Sequence, residues 1–387
     1  MTYTNAEKMI LAAPHISSPD AAKKLCAALD SPEKRTRVIK VMGESGKSST
    51  IILLSAAVSA AGYRVGRLTT PFIHSVRESV CVDEKPISID LFTDSAEKVK
   101  NAIAEVRKED ADFSPSAQDM LIAIALLAFD ACNCDFAIIE TDTAAYSAID
   151  APLLTIITTI NDQKAAREIC ARLDRQTGET VTAMQSREIY KIIFDKCAEI
   201  NCRLSMPLRN AFIFMSASLK RIEFTYQTKL YSIGTGAYYQ IYNMLTVIEA
   251  AEALSRLGFR ISNVDICSAV LGQGIPLRFE MLSVMPTIIV DRADSENRRR
   301  RLIETLKMQS SFISKNPTVI CEGGRRRISE EFALMGRDAK VTEIAEKGAR
   351  KILRELISTL GENDTVIISG TSEYCEQISK ITKEILM

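Results

Sequence analysis

The stretch Val38-Ile-Lys-Val-Met-Gly-Glu-Ser-Gly-Lys-Ser-Ser-Thr50 runs into an alanine-rich apolar segment and then into Tyr63-Arg-Val-Gly-Arg-Leu68. Read in order, this is a buried strand, a glycine loop, a helix and a second strand, which is how a chain builds a phosphate cradle. Gly43 and Gly46 let the backbone come close to a polyphosphate, and the free N–H groups of the following helix can point at it. Lys47 adds a point charge, and Ser48, Ser49 or Thr50 can offer a hydroxyl to Mg²⁺.

A general Walker A loop places four residues between its first glycine and the Gly-Lys pair. Here only Glu44 and Ser45 intervene. The shortened form Gly-x-x-Gly-Lys-[Ser/Gly/Thr]-[Ser/Thr] is the one found in ATP-dependent amide ligases of the Mur type. Around the loop, composition sets bounds. A chain of 387 residues is long for a single core and suggests two domains. With 47% apolar and 25% charged residues it is ordinary for a soluble protein, and Lys plus Arg equal Asp plus Glu at 49 each. No global field therefore favours nucleic acid or a membrane.

Ten cysteines without disulfide-like spacing, and no basic segment leading into an apolar run after Met1, point to a reducing, cytoplasmic setting. Cys132 and Cys134 lack the spacing of a zinc site and read as buried thiols. His15 and His74 are the only histidines, which leaves little for a Ser-His-Asp triad. No run of about eighteen apolar residues escapes interruption by charge, so no membrane span is expected. The runs Arg298–Arg301 and Arg325–Arg327 suggest nucleic acid at first sight. Consecutive residues fan around a helix, however, so these read as solvated segments with one arginine near a nucleotide phosphate.

Along the chain, two helices (6–13 and 19–29) precede an alternation of strands and helices: Arg37–Met42, Lys47–Ala61, Arg64–Thr69, Ala96–Lys108, Ala117–Cys132, Phe136–Glu140 and Leu153–Thr159. This argues for a mainly parallel sheet with helices on its faces. Val80–Val82 and Ser88–Leu91 read as a small edge β-arm. A further αβ stretch runs from Gln163 to Phe214, and Arg221–Ile233 reads as a half-exposed strand pair. A helix Gln240–Leu257 stops at Gly258, and another spans Ser262–Val270. Beyond Pro286 the alternation restarts: strands Thr287–Val290, Val319–Cys321 and Thr365–Ser369, helices Glu296–Met308 and Cys375–Met387, and a helical 341–360.

These landmarks resemble the folylpolyglutamate synthase/dihydrofolate synthase branch of the Mur ligases over nearly the whole chain. Gly43–Thr50 is similar to that branch's Gly-Thr-Asn-Gly-Lys-Gly-Ser-Thr, and Ala61-Gly-Tyr-Arg-Val-Gly66 carries its Ala-Gly-Tyr-x-Val-Gly. Thr69-Thr-Pro-Phe-Ile73, Arg77-Glu78-Ser79, Pro86-Ile-Ser88, Asp135-Phe-Ala-Ile-Ile-Glu140, Gln240-Ile-Tyr-Asn243, Pro276-Leu-Arg-Phe-Glu280, Asp291-Arg-Ala-Asp-Ser295 and Gly370-Thr371 follow in the family order. The resemblance implies a Mur-ligase-like α/β central P-loop domain, residues 1–285, and a smaller Rossmann-like α/β domain, residues 286–387.

It also implies a reaction: ATP phosphorylates a substrate carboxylate, such as that of a folate, and an amine such as that of glutamate attacks the acyl phosphate. Lys47 and the loop amides of Gly43–Ser48 would hold the phosphates, with Ser49, Glu140 and Thr70 on Mg²⁺. Asn243, Arg278 and Asp291 would bind ATP across the domain interface, with Lys47, Glu140 and Arg278 serving catalysis through positioning and charge. The branch usually acts as a monomer. Departures stand beside these matches: Asp162-Gln163 occupies the place of a metal-binding Asp-His, no lysine lies near Cys170-Ala171 where the branch carries a carbamylated one, and Asp294 replaces a histidine. Two other readings follow from them, a catalytically degenerate ATP-binding paralogue and a Mur-type ligase with a non-folate acceptor. An unrelated P-loop kinase would leave Arg278 and Asp291 without a role.

Overall fold

The computed structural model describes residues 1–14, 18, 20–70, 75–141, 149, 151–173, 178–322, 339–345 and 348–387. His15, His74, the Pro71-Phe-Ile73 segment and the run Arg325–Arg327 lie outside them. The chain falls into two compact units, Met1–Arg209 with Tyr242–Ala269, and Asn210–Ile241 with Val270–Met387. This grouping differs from a single boundary near residue 285. Glu280–Val284 pairs antiparallel with Thr287–Asp291, so the second sheet starts before Pro286.

The first unit holds helices α1 (Tyr3–Leu11) and α2 (Ala21–Ala27) and an eight-stranded sheet. Its strands are β1 (Arg37–Met42), β2 (Val65–Leu68), β3 (Val80–Val82), β4 (Lys85–Pro86), β5 (Phe136–Glu140), β6 (Leu154–Ile157), β7 (Glu179–Thr182) and β8 (Arg203–Ser205), in the order β4-β3-β2-β5-β1-β6-β7-β8. Along the sheet the neighbours from β2 through β5, β1, β6 and β7 to β8 are parallel, and the antiparallel pairings are β2–β3 and β3–β4. Every residue from Val38 to Met42 and from Phe136 to Glu140 is buried, as expected of strands covered on both faces.

Helix α3 (Lys47–Ala60) links β1 to β2 on one side of β1, whereas the connection after β6 leads to β7 on the other. The carboxyl ends of β1 and β6 therefore flank a topological switch point, where open α/β sheets place their ligands. Helix α3 is buried continuously from Ser49 to Val58 because it is apolar on all sides.

Helix α4 spans Ile89–Glu109 and α5 spans Ala117–Ala131. The expected strand at Ser88–Leu91 is in fact the start of α4: the Ser88 hydroxyl accepts the Leu91 N–H as N-cap, and Asp90 lies in the first turn. Four alternating residues fit a strand and a capped turn equally well. Helices α6 (Gln163–Cys170) and α7 (Arg187–Glu199) pack on a cluster that includes Met42, Ile157, Ile169, Ile193 and Cys197. Helix α8 (Gln240–Arg256) is followed by Gly258 at φ 95°, and α9 spans Asn263–Leu271.

The second unit carries a three-stranded antiparallel sheet, β9 (Phe212–Ser218), β10 (Arg221–Tyr226) and β11 (Lys229–Ile233). Its five-stranded sheet has the order β12-β13-β16-β14-β15, from β12 (Glu280–Val284), β13 (Thr287–Asp291), β14 (Thr318–Cys321), β15 (Lys340–Glu343) and β16 (Thr365–Ser369). Apart from β12 these strands are parallel. Helix α10 covers Glu296–Met308, and further helices cover Ala349–Ser358 and Ser372–Leu386. The segment expected to be helical throughout 341–360 divides into an edge strand and a helix, because Val341–Glu343 completes the sheet beside β14 and Gly348, at φ 92°, starts the helix. Among the described residues no helix is long and apolar enough to cross a membrane.

Candidate active site

The glycine loop leaves β1 through Gly43 at φ 130° and enters α3 through Gly46 at φ 93°. Both positions also lack room for a side chain. A Cβ at Gly43 would stand 2.2 Å from Thr158 Oγ1, and one at Gly46 would stand 2.4 Å from Asn243 Oδ1. The loop is thus threaded between the turn after β6 and the start of α8. The N–H groups of Glu44 and Ser45 both donate to the Thr159 carbonyl at 3.1 Å, and the Asn161 N–H donates to Glu44 Oε2 at 2.6 Å. No side-chain hydrogen bond caps the first turn of α3, which leaves its partial positive charge for an anion.

Glu140 closes β5, in register beside Val41 of β1. Its side chain is 3% exposed, and Oε2 accepts the Ser48 hydroxyl and the Thr70 N–H at 3.0 Å each. Lys47 Nζ stands 3.6 Å from Oε1, and the Ser48 hydroxyl also lies 3.5 Å from the Thr70 carbonyl. Burial pushes the Glu140 carboxyl above its ordinary range; the Lys47 charge and the donors at Thr70 and Ser48 pull it back without prevailing. A carboxylate, a hydroxyl and a main-chain carbonyl are hard oxygen donors of the kind Mg²⁺ takes, and a cation beside this carboxylate would relieve its desolvation. The group fits magnesium.

The structure brings Gly43, Glu44, Ser45, Gly46, Lys47, Ser48, Thr70 and Glu140 together, with Asn243 against Gly46. The hydroxyl that meets Glu140 belongs to Ser48. Ser49, one residue further into α3, is buried at 4% exposure. Asp162 caps α6 by accepting the Ala165 N–H at 2.9 Å, and Gln163 accepts from Arg167 at 3.1 Å on the same helix. Cys170 is buried in the α6/α7 cluster.

In the second unit Asp291 ends β13, 2% exposed, and accepts the Tyr239 hydroxyl at 2.5 Å and the Phe279 N–H at 2.9 Å. Burial raises its carboxyl, and the nearby Arg278 charge opposes this. Arg278 itself donates to the Arg292 carbonyl at 2.7 Å. Asp294 bonds Arg292 at 2.8 Å and also pairs with Arg298. Burial alone would raise Asp294, but the two arginines outweigh it and hold it low.

Sequence reasoning missed three partners: the Thr158–Thr159 turn, Gln118, whose side chain donates to the Glu140 carbonyl at 3.4 Å, and Tyr239. For the turn a signal was available, because polar residues directly after an apolar strand neighbouring β1 must border the loop.

A short glycine loop at the switch point of a parallel sheet, with a buried acid at the end of the adjacent strand and a second α/β unit, makes up a Mur-ligase-like fold. No family model matches the chain. It is 28% identical to a Bacillus subtilis dihydrofolate synthase/folylpolyglutamate synthase over 93% of this chain and 94% of that protein. The fold is shared with the apo form of L. casei FPGS at a TM-score of 0.86 and 20% identity, over 100% of both chains. It is shared with an FPGS-AMPPCP-folate complex at 0.83 and 20% identity, again over 100% of both. Over nearly its whole length the chain is thus similar to the folylpolyglutamate synthase/dihydrofolate synthase branch of the Mur ligase family.

Proposed function

We propose that the protein is an ATP- and Mg²⁺-dependent carboxylate–amine ligase that extends a folate-type acceptor with an amino acid such as glutamate. The observation that carries this reading is the contact of buried Glu140 with Ser48 and Lys47 at the mouth of the glycine loop. The match to dihydrofolate synthase/folylpolyglutamate synthase across nearly the whole chain, and a solved relative holding AMPPCP and folate, support the reaction class and the acceptor.

In this reading Lys47 and the amides at the start of α3 hold the β- and γ-phosphates, since the Glu44 and Ser45 amides expected to share that role donate to the Thr159 carbonyl instead, and Lys47 offsets charge as the γ-phosphoryl group moves to the acceptor carboxylate. Glu140 with Ser48, Ser49 and Thr70 would hold Mg²⁺, which when bound neutralises phosphate charge. Asn243, Arg278 and Asp291 are assigned to nucleotide binding, Arg278 with a catalytic share. The amine then attacks the acyl phosphate, forming the amide and releasing phosphate. A reducing, cytoplasmic setting and action as a monomer complete the proposal.

The test combines purified protein with ATP, Mg²⁺, glutamate and either tetrahydrofolate or dihydropteroate, and measures ADP and the glutamylated product. Both should form with one acceptor and vanish in Lys47→Ala. Nucleotide binding without ADP release on either acceptor would overturn the ligase assignment.

A further inference from the structure

Gln185 lies outside the glycine loop, between β7 and α7, and is 5% exposed. Both ends of its amide are used. Oε1 accepts the Ile160 N–H at 3.2 Å, while Nε2 donates to the Thr158 carbonyl at 2.9 Å and to Thr182 Oγ1 at 3.1 Å. Its own carbonyl accepts from Arg209 at 3.1 Å. The side chain therefore brackets the three-residue turn Thr158–Ile160 from both sides, making two hydrogen bonds that a regular strand pair would otherwise supply.

That turn is the wall of the phosphate loop. Its Thr159 carbonyl receives the N–H groups of Glu44 and Ser45, Thr158 Oγ1 faces Gly43, and the Thr158 N–H and hydroxyl return to the Met42 carbonyl at 2.8 and 3.1 Å. The first half of the loop has its amide contacts on this turn, so the position of the turn sets where the loop amides point. We propose that Gln185 is a positioning residue for nucleotide binding, acting through the Thr158–Ile160 turn to shape the Gly43–Gly46 loop. The inference rests on the nucleotide-binding reading above and adds to it a residue that touches neither phosphate nor metal.

The chemistry gives a specific test. Gln185→Glu keeps the size of the side chain and the acceptor for Ile160, but as a carboxylate it sets an oxygen against the Thr158 carbonyl. Protonated, it regains a donor, and burial favours the protonated form. ADP binding is measured by calorimetry on the full chain for wild type, Gln185→Ala and Gln185→Glu, at about pH 8 and about pH 6, where a buried glutamic acid carries its proton. Thermal melting of each variant reports folding.

The expected result is ADP binding weakened by about tenfold or more in both variants at the higher pH, the scale of a buried hydrogen bond left unmade. Recovery at the lower pH, relative to wild type, should occur in Gln185→Glu alone. Wild-type affinity in Gln185→Glu at the higher pH would overturn the inference, as would the absence of acid recovery. Should Gln185→Ala fail to melt cooperatively, Gln185→Glu decides by itself. If wild type binds no ADP, it is the nucleotide-binding reading that fails.

Discussion

Gly46, Gly62 and Gly258 have the same backbone conformation, at φ 93°, 91° and 95°, yet only Gly46 is crowded. An alanine forced into this region costs about 1–2 kcal/mol from its Cβ meeting its own backbone. At Gly62 and Gly258 nothing else lies within 4 Å, so that cost is the whole effect. At Gly46 the new Cβ would lie 2.4 Å from Asn243 Oδ1 and 3.3 Å from its Cγ, so the amide must move. Asn243 is 6% exposed, and displacing a buried amide from its partners adds about 1–3 kcal/mol. Urea unfolding of the three alanine variants should therefore rank Gly46→Ala below the other two by about that increment. In an Asn243→Ala background the increment should disappear, leaving Gly46→Ala no worse than Gly62→Ala. Equal losses at all three glycines, or an excess that survives Asn243→Ala, would refute the packing of α8 on the loop.

Other consequences concern the buried acids. Because Glu140 holds its proton more tightly folded than unfolded, its charge subtracts stability increasingly as pH rises from the unfolded toward the folded pKa. Glu140→Gln should end ADP formation, while its stability relative to wild type rises with pH over that window; a pH-independent difference in denaturation midpoint would contradict this. Tyr239→Phe removes a hydrogen bond to buried Asp291 and should cost about 1–3 kcal/mol in urea unfolding, and a loss below about 0.5 kcal/mol would count against that contact. Asp294 behaves oppositely to Glu140, since its folded pKa is lowered. Its stabilisation is present above the unfolded pKa and is lost as pH falls through the folded one, so the wild-type advantage over Asp294→Asn should close on acidification.

How far the chain could be read in advance divides along physical lines. Strands β1, β5 and β16 coincide with the expected spans, because a buried apolar run with turn residues at both ends leaves little freedom in its limits, and helix α10 does so because Ser295 caps its start. Ser88–Leu91 and 341–360 were misread where the pattern is short or where an edge strand is half polar. There, pairing with β14, which is not a local property, and capping by Ser88, which competes with a strand over the same four residues, decide the outcome. The same division holds in the site. Gly43, Gly46 and Lys47 are legible because the backbone geometry demands those residue types in that order. The choice of Ser48 to meet Glu140 depends on the rotation of α3 about its axis, which packing against β1, β2 and β5 fixes.

Gln185 was invisible for a stronger reason. It lies far along the chain from the loop, and its role is to satisfy two backbone groups of the turn that follows the neighbouring strand, β6. A motif records the residues whose own geometry or chemistry the loop requires. The loop also needs a rigid neighbour to be shaped against, since a glycine-rich segment has no preferred conformation of its own. Here the neighbour is the turn after β6, at the point where the connections of the sheet diverge, and the long-range amide that fixes it completes the phosphate cradle begun by Gly43 and Gly46.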